Sequence, residues 1–264
     1  MTRSALEACA GLALAAALVG PIATAWAGEG LGALGYAALY GRMLEQHTRA
    51  VPEKVGTRVD YRGLLEDPRW KELVARLAAV DPELLQTREE RLAFWINAYN
   101  ILAIDIVLSH YPVKSIRDIG TFFSPVWKME AGRIVGKARS LKEIEHAILR
   151  PLGEPRIHAA IVCASISCPD LRREPFEPER LEVQLDEQLR SWLANPQKGS
   201  RLDAASGTLT LSPILHWFEE DFETHGGVVE YIVPYLPDPI RRRIAGRRGE
   251  LALAWFDYDW GLND

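Results

Sequence analysis

The chain has 264 residues, is 48% hydrophobic and 25% charged, and carries a formal net charge of −5 at pH 7. That composition is ordinary for a globular protein, and its acidic balance supplies no drive toward nucleic acid or an anionic membrane surface. No internal repeat, low-complexity tract or long linker interrupts it.

Residues 1–27 read as an export signal. Arg3 gives a thin positive start, Ala10 to Val19 is almost unbroken apolar chain despite Glu7 before it, and Ala25-Trp26-Ala27 offers a small-x-small cleavage site. Cys9 precedes the apolar run, which argues against a lipid anchor. The expectation is an exported protein, periplasmic or extracellular, whose residues 28–264 form a single domain. No later stretch is read as having the roughly 18 apolar residues a span needs, so no membrane span is expected after signal removal.

In chain order, Leu34 to His47 has apolar residues at helical spacing. Val59 and Tyr61 of "VDYRGLLEDPRW" read as extended, and Trp70 to Val80 continues a helical period through Leu73, Val74, Leu77 and Val80. Asp81-Pro82 opens a further helical turn. The longest helix is predicted in "TREERLAFWINAYNILAIDIVLSHYP", with Thr87 and Glu90 spaced as a capping box and an end at Tyr111-Pro112. "WKMEAGRIVG" resembles a hairpin turning at Ala131-Gly132. Ser140 caps a short helix carrying Glu143, Glu145 and His146. "RIHAAIVCAS" suits a strand buried on both faces. Pro175 to Asn195 is helical, "GTLTLS" a strand, Ile214 to Thr224 a short helix, and "LALAWFDYDWGLN" a closing strand. The order predicts an α+β fold, long helices in the N-terminal half packed on a mixed or antiparallel sheet from the C-terminal half.

The chemistry concentrates around "CASISCP". If the chain after Cys168 turns helical, Pro169 takes the first helical position and backbone N–H groups point at the Cys168 sulfur, favouring a thiolate. A thiolate nucleophile needs a base and a group to orient it. His158 and His146 are the candidate bases, Asn97 the orienter, and Cys163 the accompanying sulfur. Arg150, Arg156 and Asn100 are candidate substrate-binding residues, the arginines for an anionic group. The same two cysteines fit a disulfide in an oxidising compartment, inert buried thiols, a redox pair or half of a zinc site. The tight Cys-x-x-Cys pair of a strong zinc signal is missing, and so is a Gly-rich phosphate loop, so neither a metal nor a cofactor is expected. "RRRIAGRR", Arg241 to Arg248, reads as a solvated helix end.

Six segments in order, "VDYRGLL", "RLAFWINAYNIL", "LKEIEHAILR", "EPRIHAAIVCASISCPDLR", "LSPILHWFEEDF" and "FDYDWGLND", resemble the domain of unknown function 547 family from about Tyr36 to Asp264. The resemblance implies no reaction. It does imply a shared site that includes Asn97, Tyr99, Asn100, His146, Arg150, Arg156, His158, Cys163, Cys168 and Pro169. Glu154 stands where the family pattern has Asp. Ala164 follows Cys163 where it has Gly, which argues against a positive φ at that residue.

Two functions follow as expectations. One is a cysteine-dependent hydrolase or acyl transferase on cell-envelope amides or esters, with Cys168 as nucleophile. The other is a non-catalytic binding or scaffolding module with a structural Cys163–Cys168 disulfide. Its partner would be an envelope substrate or protein.

Overall fold

A computed structural model describes residues 33–246 and 251–264. The expected export signal, Cys9, Arg247 and Arg248 lie outside the described residues. Helix α1 (Ala33–His47) leads into a two-stranded antiparallel sheet of β1 (Thr48–Ala50) and β2 (Thr57–Val59), with Thr48 opposite Val59. Asp60 accepts a hydrogen bond from Gly63 N–H and caps α2 (Tyr61–Glu66), so Tyr61 opens a helix and does not extend the strand. Asp67 likewise caps α3 (Pro68–Ala78), whose Pro68 occupies the first turn.

Helix α4 (Arg88–Leu108) is the spine of the molecule. Thr87 and Glu90 form the expected capping box, each side chain satisfying the other residue's N–H. The helix is buried without interruption from Leu92 to Ile104, as a helix apolar on all sides must be in a core. By length and composition it is apolar enough to cross a membrane, which the sequence reading had not counted. Here that apolar surface is covered by protein.

The next hairpin pairs β3 (Gly132–Ile134) with β4 (Lys137–Arg139). It turns at Val135-Gly136, both at positive φ, and not at Ala131-Gly132. Gly136 supplies the left-handed conformation a two-residue turn requires. Ser140 caps α5 (Leu141–Glu143), which runs on as a π-helical stretch over Ile144–Leu149.

"RIHAAIVCAS" is not a strand. Ile157–Ala160 forms the short helix α6, and the chain then extends without a ladder apart from one bridge between Ser165 and Leu262. A short all-apolar run buries equally well in either conformation, so periodicity had no purchase on it. Nor does a helix follow Pro169: Cys168 precedes irregular chain, and the first turn after it is at Pro178–Arg180.

Helix α7 (Leu181–Ala194) precedes a three-stranded mixed sheet. In it β5 (Ser200–Leu202) and β6 (Thr208–Leu211) are antiparallel, and β7 (Ala252–Trp255) is parallel to β6. Helices α8 (Pro213–Trp217), α9 (Val228–Ile232) and α10 (Asp238–Ile244) lie between β6 and β7 in sequence. The fold is thus α+β, with its longest helix in the N-terminal half and its mixed sheet in the C-terminal half.

Two clusters of buried side chains make the core, one around α1 to α4 and one around the mixed sheet. Helix α7 joins them: Leu181 and Leu185 belong to the first, and Leu189, Trp192 and Leu193 to the second. Tyr258 packs against both, and there the cavity opens.

Candidate functional site

The cavity has a volume of about 240 Å³. Its walls are aromatic, with Trp127, Trp217, Trp260, Tyr258 and Phe218 prominent, and Glu145, His146, His158 and both cysteines also line it. Trp217 and Trp260 stack with centroids 5.9 Å apart, and the Arg117 guanidinium lies 5.0 Å from the centre of Trp260.

The π-helical stretch after α5 presents Glu145 and His146 together. Single π-turns recur at functional sites because they alter which side chains face a common direction. Glu145 is buried at 8% exposure, and its carboxyl makes no side-chain hydrogen bond among the described residues. Burial pushes that carboxyl up to about 7, with the Arg150 charge pulling it down and Asp221 adding to the rise. It is a carboxyl held near its protonation midpoint at neutral pH.

His146 sits at the exposed edge, its Nδ1 2.9 Å from the Arg150 guanidinium. Arginine only donates, so Nδ1 accepts and the neutral ring carries its proton on Nε2. Burial lowers the His146 pKa, and the Arg150 and Lys142 charges act the same way.

His158, on α6, is 2% exposed and stacks on Phe218 at 4.2 Å. Its Nε2 lies 2.7 Å from Asp221 Oδ2. Burial lowers its pKa while Asp221 opposes the shift. The neutral ring donates Nε2–H to the carboxylate and keeps a lone pair on Nδ1.

Burial alone would push Asp221 up. Hydrogen bonds and charges from His158 and Arg150 hold it well below the usual carboxylate range. Arg150 grips Asp221 at both oxygens, Nε–H at 2.7 Å and Nη2–H at 2.8 Å, and also pairs with Glu220. The orienting group for the histidine is therefore Asp221, which the sequence reading missed. Its only trace in sequence was the acidic run "FEED", which looks like a solvated face.

Cys163 and Cys168 form a disulfide, so Cys168 is not a thiolate in this structure. Cys163 is half-buried and Cys168 is 2% exposed. The Tyr258 hydroxyl lies 3.3 Å from the first sulfur and 3.2 Å from the second, and Cys163 N–H donates to the Cys168 sulfur at 3.0 Å. Ala164 between them has φ +59°, the conformation its side chain argued against. An L-residue there is strained by about 1–2 kcal/mol. The surrounding bonds hold it: its carbonyl accepts from Asn263 N–H at 3.1 Å, and Ser165 bridges Leu262.

The remaining expected residues are occupied elsewhere. Asn97 does not orient a histidine, because its amide donates to the Phe176 carbonyl at 2.8 Å and accepts from the Phe176 N–H at 2.9 Å. Asn100 does the same between Ala160 O and Val162 N–H, at 2.9 and 2.8 Å. These two amides stand in for a missing strand partner along the extended chain that approaches and leaves the disulfide loop. Arg156 is not free for a substrate anion. It is buried in a forked pair with Glu154 at 2.7 and 2.8 Å and also holds Glu182 and Asp186 of α7. Arg150 borders the site but its guanidinium is committed to Asp221 and Glu220. Among the described residues no group of three or more His, Cys, Asp or Glu side chains is arranged to hold a metal ion.

The molecule is thus an α+β domain with an aromatic cavity that joins a protonatable carboxyl, a His–Asp pair and a disulfide. The family described as "Protein of unknown function, DUF547" matches residues 82–193, the stretch over which the chain is similar to it. The match takes in α4, His146, Arg150, His158 and both cysteines. No curated protein and no solved structure matches the chain.

Proposed function

We propose that the protein is an exported acid–base hydrolase of small amides or esters in the cell envelope. Glu145 supplies the proton and His158 is the base, in place of the cysteine nucleophile expected from the sequence. The observation that carries this is Glu145 itself, a buried carboxyl with no side-chain hydrogen bond among the described residues, lining an aromatic cavity of about 240 Å³. A carboxyl with a pKa near the working pH is matched to general-acid catalysis. His158 Nδ1 takes a proton from water as that water attacks the carbonyl, while Asp221 stabilises the ring that becomes charged. Protonated Glu145 delivers its proton to the leaving nitrogen or oxygen. The aromatic walls hold the apolar body of the substrate and exclude bulk water.

A second reading is favoured by the disulfide: a binding module in which the cavity holds a ligand or partner side chain and the sulfur bridge only shapes its wall. A panel of N-acyl amides and aryl esters, assayed with the full chain, separates the two. Turnover that Glu145→Gln abolishes, with ligand-induced quenching of tryptophan fluorescence retained, supports the hydrolase. Quenching without any turnover supports the binding module. Turnover that survives in Glu145→Gln but is lost in Cys163→Ser/Cys168→Ser returns the chemistry to sulfur.

A further inference from the structure

The disulfide is placed unlike one that only staples a loop. It lines the cavity, its two sulfurs differ in access, and the inner one alone meets a backbone N–H in addition to a hydroxyl. Cys163 is half-buried at the cavity wall, while Cys168 is almost wholly enclosed. The Cys168 sulfur accepts from Cys163 N–H at 3.0 Å and from the Tyr258 hydroxyl at 3.2 Å. Burial raises the Tyr258 pKa, so that hydroxyl keeps its proton and remains a donor. The Tyr258 hydroxyl also lies 3.3 Å from the Cys163 sulfur and 3.0 Å from Ser165 Oγ, so the fixed Cys163 N–H is the donor particular to Cys168, and the hydroxyl can turn to that sulfur once it carries the charge.

We propose that the Cys163–Cys168 bond is a thiol–disulfide exchange site, attacked at Cys163 by a small thiol entering the aromatic cavity. The thiolate RS⁻ forms a bond to Cys163 Sγ as the Sγ–Sγ bond breaks, and the electron pair of that bond leaves on Cys168 Sγ. The products are a mixed disulfide at Cys163 and a Cys168 thiolate stabilised by the two donors, and no proton is consumed. Return attack by Cys168 on Cys163 releases the thiol. Attack by a second thiolate on the sulfur of the bound thiol releases RSSR and leaves both cysteines reduced, two thiols supplying the two electrons. The leaving sulfur is the one with the more stabilised anion, which sets the direction of attack. The activity stands apart from the hydrolase reading, since it uses neither Glu145 nor His158.

The test treats the native, oxidised full chain with thiophenol, quenches with acid at intervals, and maps the adduct by mass. The expected result is a mixed disulfide on Cys163 in the folded protein, formed roughly tenfold or more slowly in Tyr258→Phe, as loss of one hydrogen bond to an anion implies. An adduct on Cys168, no adduct until denaturant is added, or an unchanged rate in Tyr258→Phe would overturn the proposal. Two single variants check access without exchange. In Cys168→Ser the remaining Cys163 is expected to react with iodoacetamide in the native state, and in Cys163→Ser the remaining Cys168 is not. The reverse pattern contradicts the proposal.

Discussion

The Nε2 of His158 lies 2.7 Å from Asp221 Oδ2, and that same oxygen takes the Nε–H of Arg150 at 2.7 Å. One carboxylate thereby joins α6, the short turn Arg150–Leu152 that follows the π-helical stretch, and the short-helical segment Glu219–His225. Removing it leaves the buried His158 imidazole without its acceptor and takes two hydrogen bonds from the Arg150 guanidinium, which keeps Glu220 and His146. Asp221→Ala is expected to cost about 2–4 kcal/mol in urea denaturation, within the range for breaking one side of a partly buried charged network. Because the folded-state pKa of Asp221 is lowered, its contribution is complete above the ordinary aspartate range and is lost as pH falls through the lowered value.

Glu145 should give the opposite pH signature. Its pKa is raised from 4.5 to about 7 in the fold, so the folded state binds more protons than the unfolded one between those values. Stability from this group is complete below about pH 4.5 and declines as pH rises through 7. His158, whose folded pKa is lowered, acts in the other direction, adding stability as pH rises toward the ordinary histidine value. Comparison of wild type with Glu145→Gln isolates the first effect. Relative to the variant, wild type should lose up to about 3 kcal/mol between pH 4.5 and pH 8. A pH-independent difference would mean that Glu145 titrates normally.

The disulfide closes a loop with a sequence separation of 5. The chain-entropy contribution of so short a loop is only about 2 kcal/mol. Reduction should therefore lower the thermal midpoint without abolishing the fold, because Asn100, the Ser165–Leu262 bridge and Lys198 hold the same segment independently. Calorimetry with and without a reductant measures this, and complete unfolding on reduction would contradict it.

Lys198 is 1% exposed. Its ammonium donates to Val55 O at 2.8 Å and Cys168 O at 2.6 Å and pairs with Asp170 at 2.6 Å. Burial lowers its pKa and Asp170 opposes the shift. Lys198→Met keeps the stem and removes the charge, leaving the carbonyls of Val55, Ile166 and Cys168 and the Asp170 carboxylate without this donor. A loss of about 3–5 kcal/mol is expected by chemical denaturation, together with faster hydrogen exchange across residues 166–170.

The sequence made legible what local chemistry decides. The Thr87–Glu90 box, the helix it opens and the β6 strand at "GTLTLS" stand where the pattern placed them, because capping and periodicity are read from neighbours a few residues apart. The disulfide and the histidines of the site were visible as candidate residues for the same reason. What was not legible depends on partners distant in sequence. In sequence Asn97 and Asn100 are available for catalysis, whereas in the fold Phe176, Ala160 and Val162 hold their amides. Arg156 looked like an anion site until Glu182 and Asp186 of α7 closed on it. Asp221 was hidden among acidic neighbours, and only its packing against His158 and Arg150 distinguishes it. Glu145 reads from sequence only as a neighbour of His146, because nothing in "KEIEH" announces a π-helical turn that faces it into a cavity.

The most direct test is an NMR titration of the Glu145 carboxyl carbon in the full chain, assigned by its disappearance in Glu145→Gln. A midpoint near 7 is expected. A midpoint near 4.5, the value of an ordinary glutamate, would show Glu145 ionised throughout the neutral range and remove the proton donor on which the proposed hydrolysis depends.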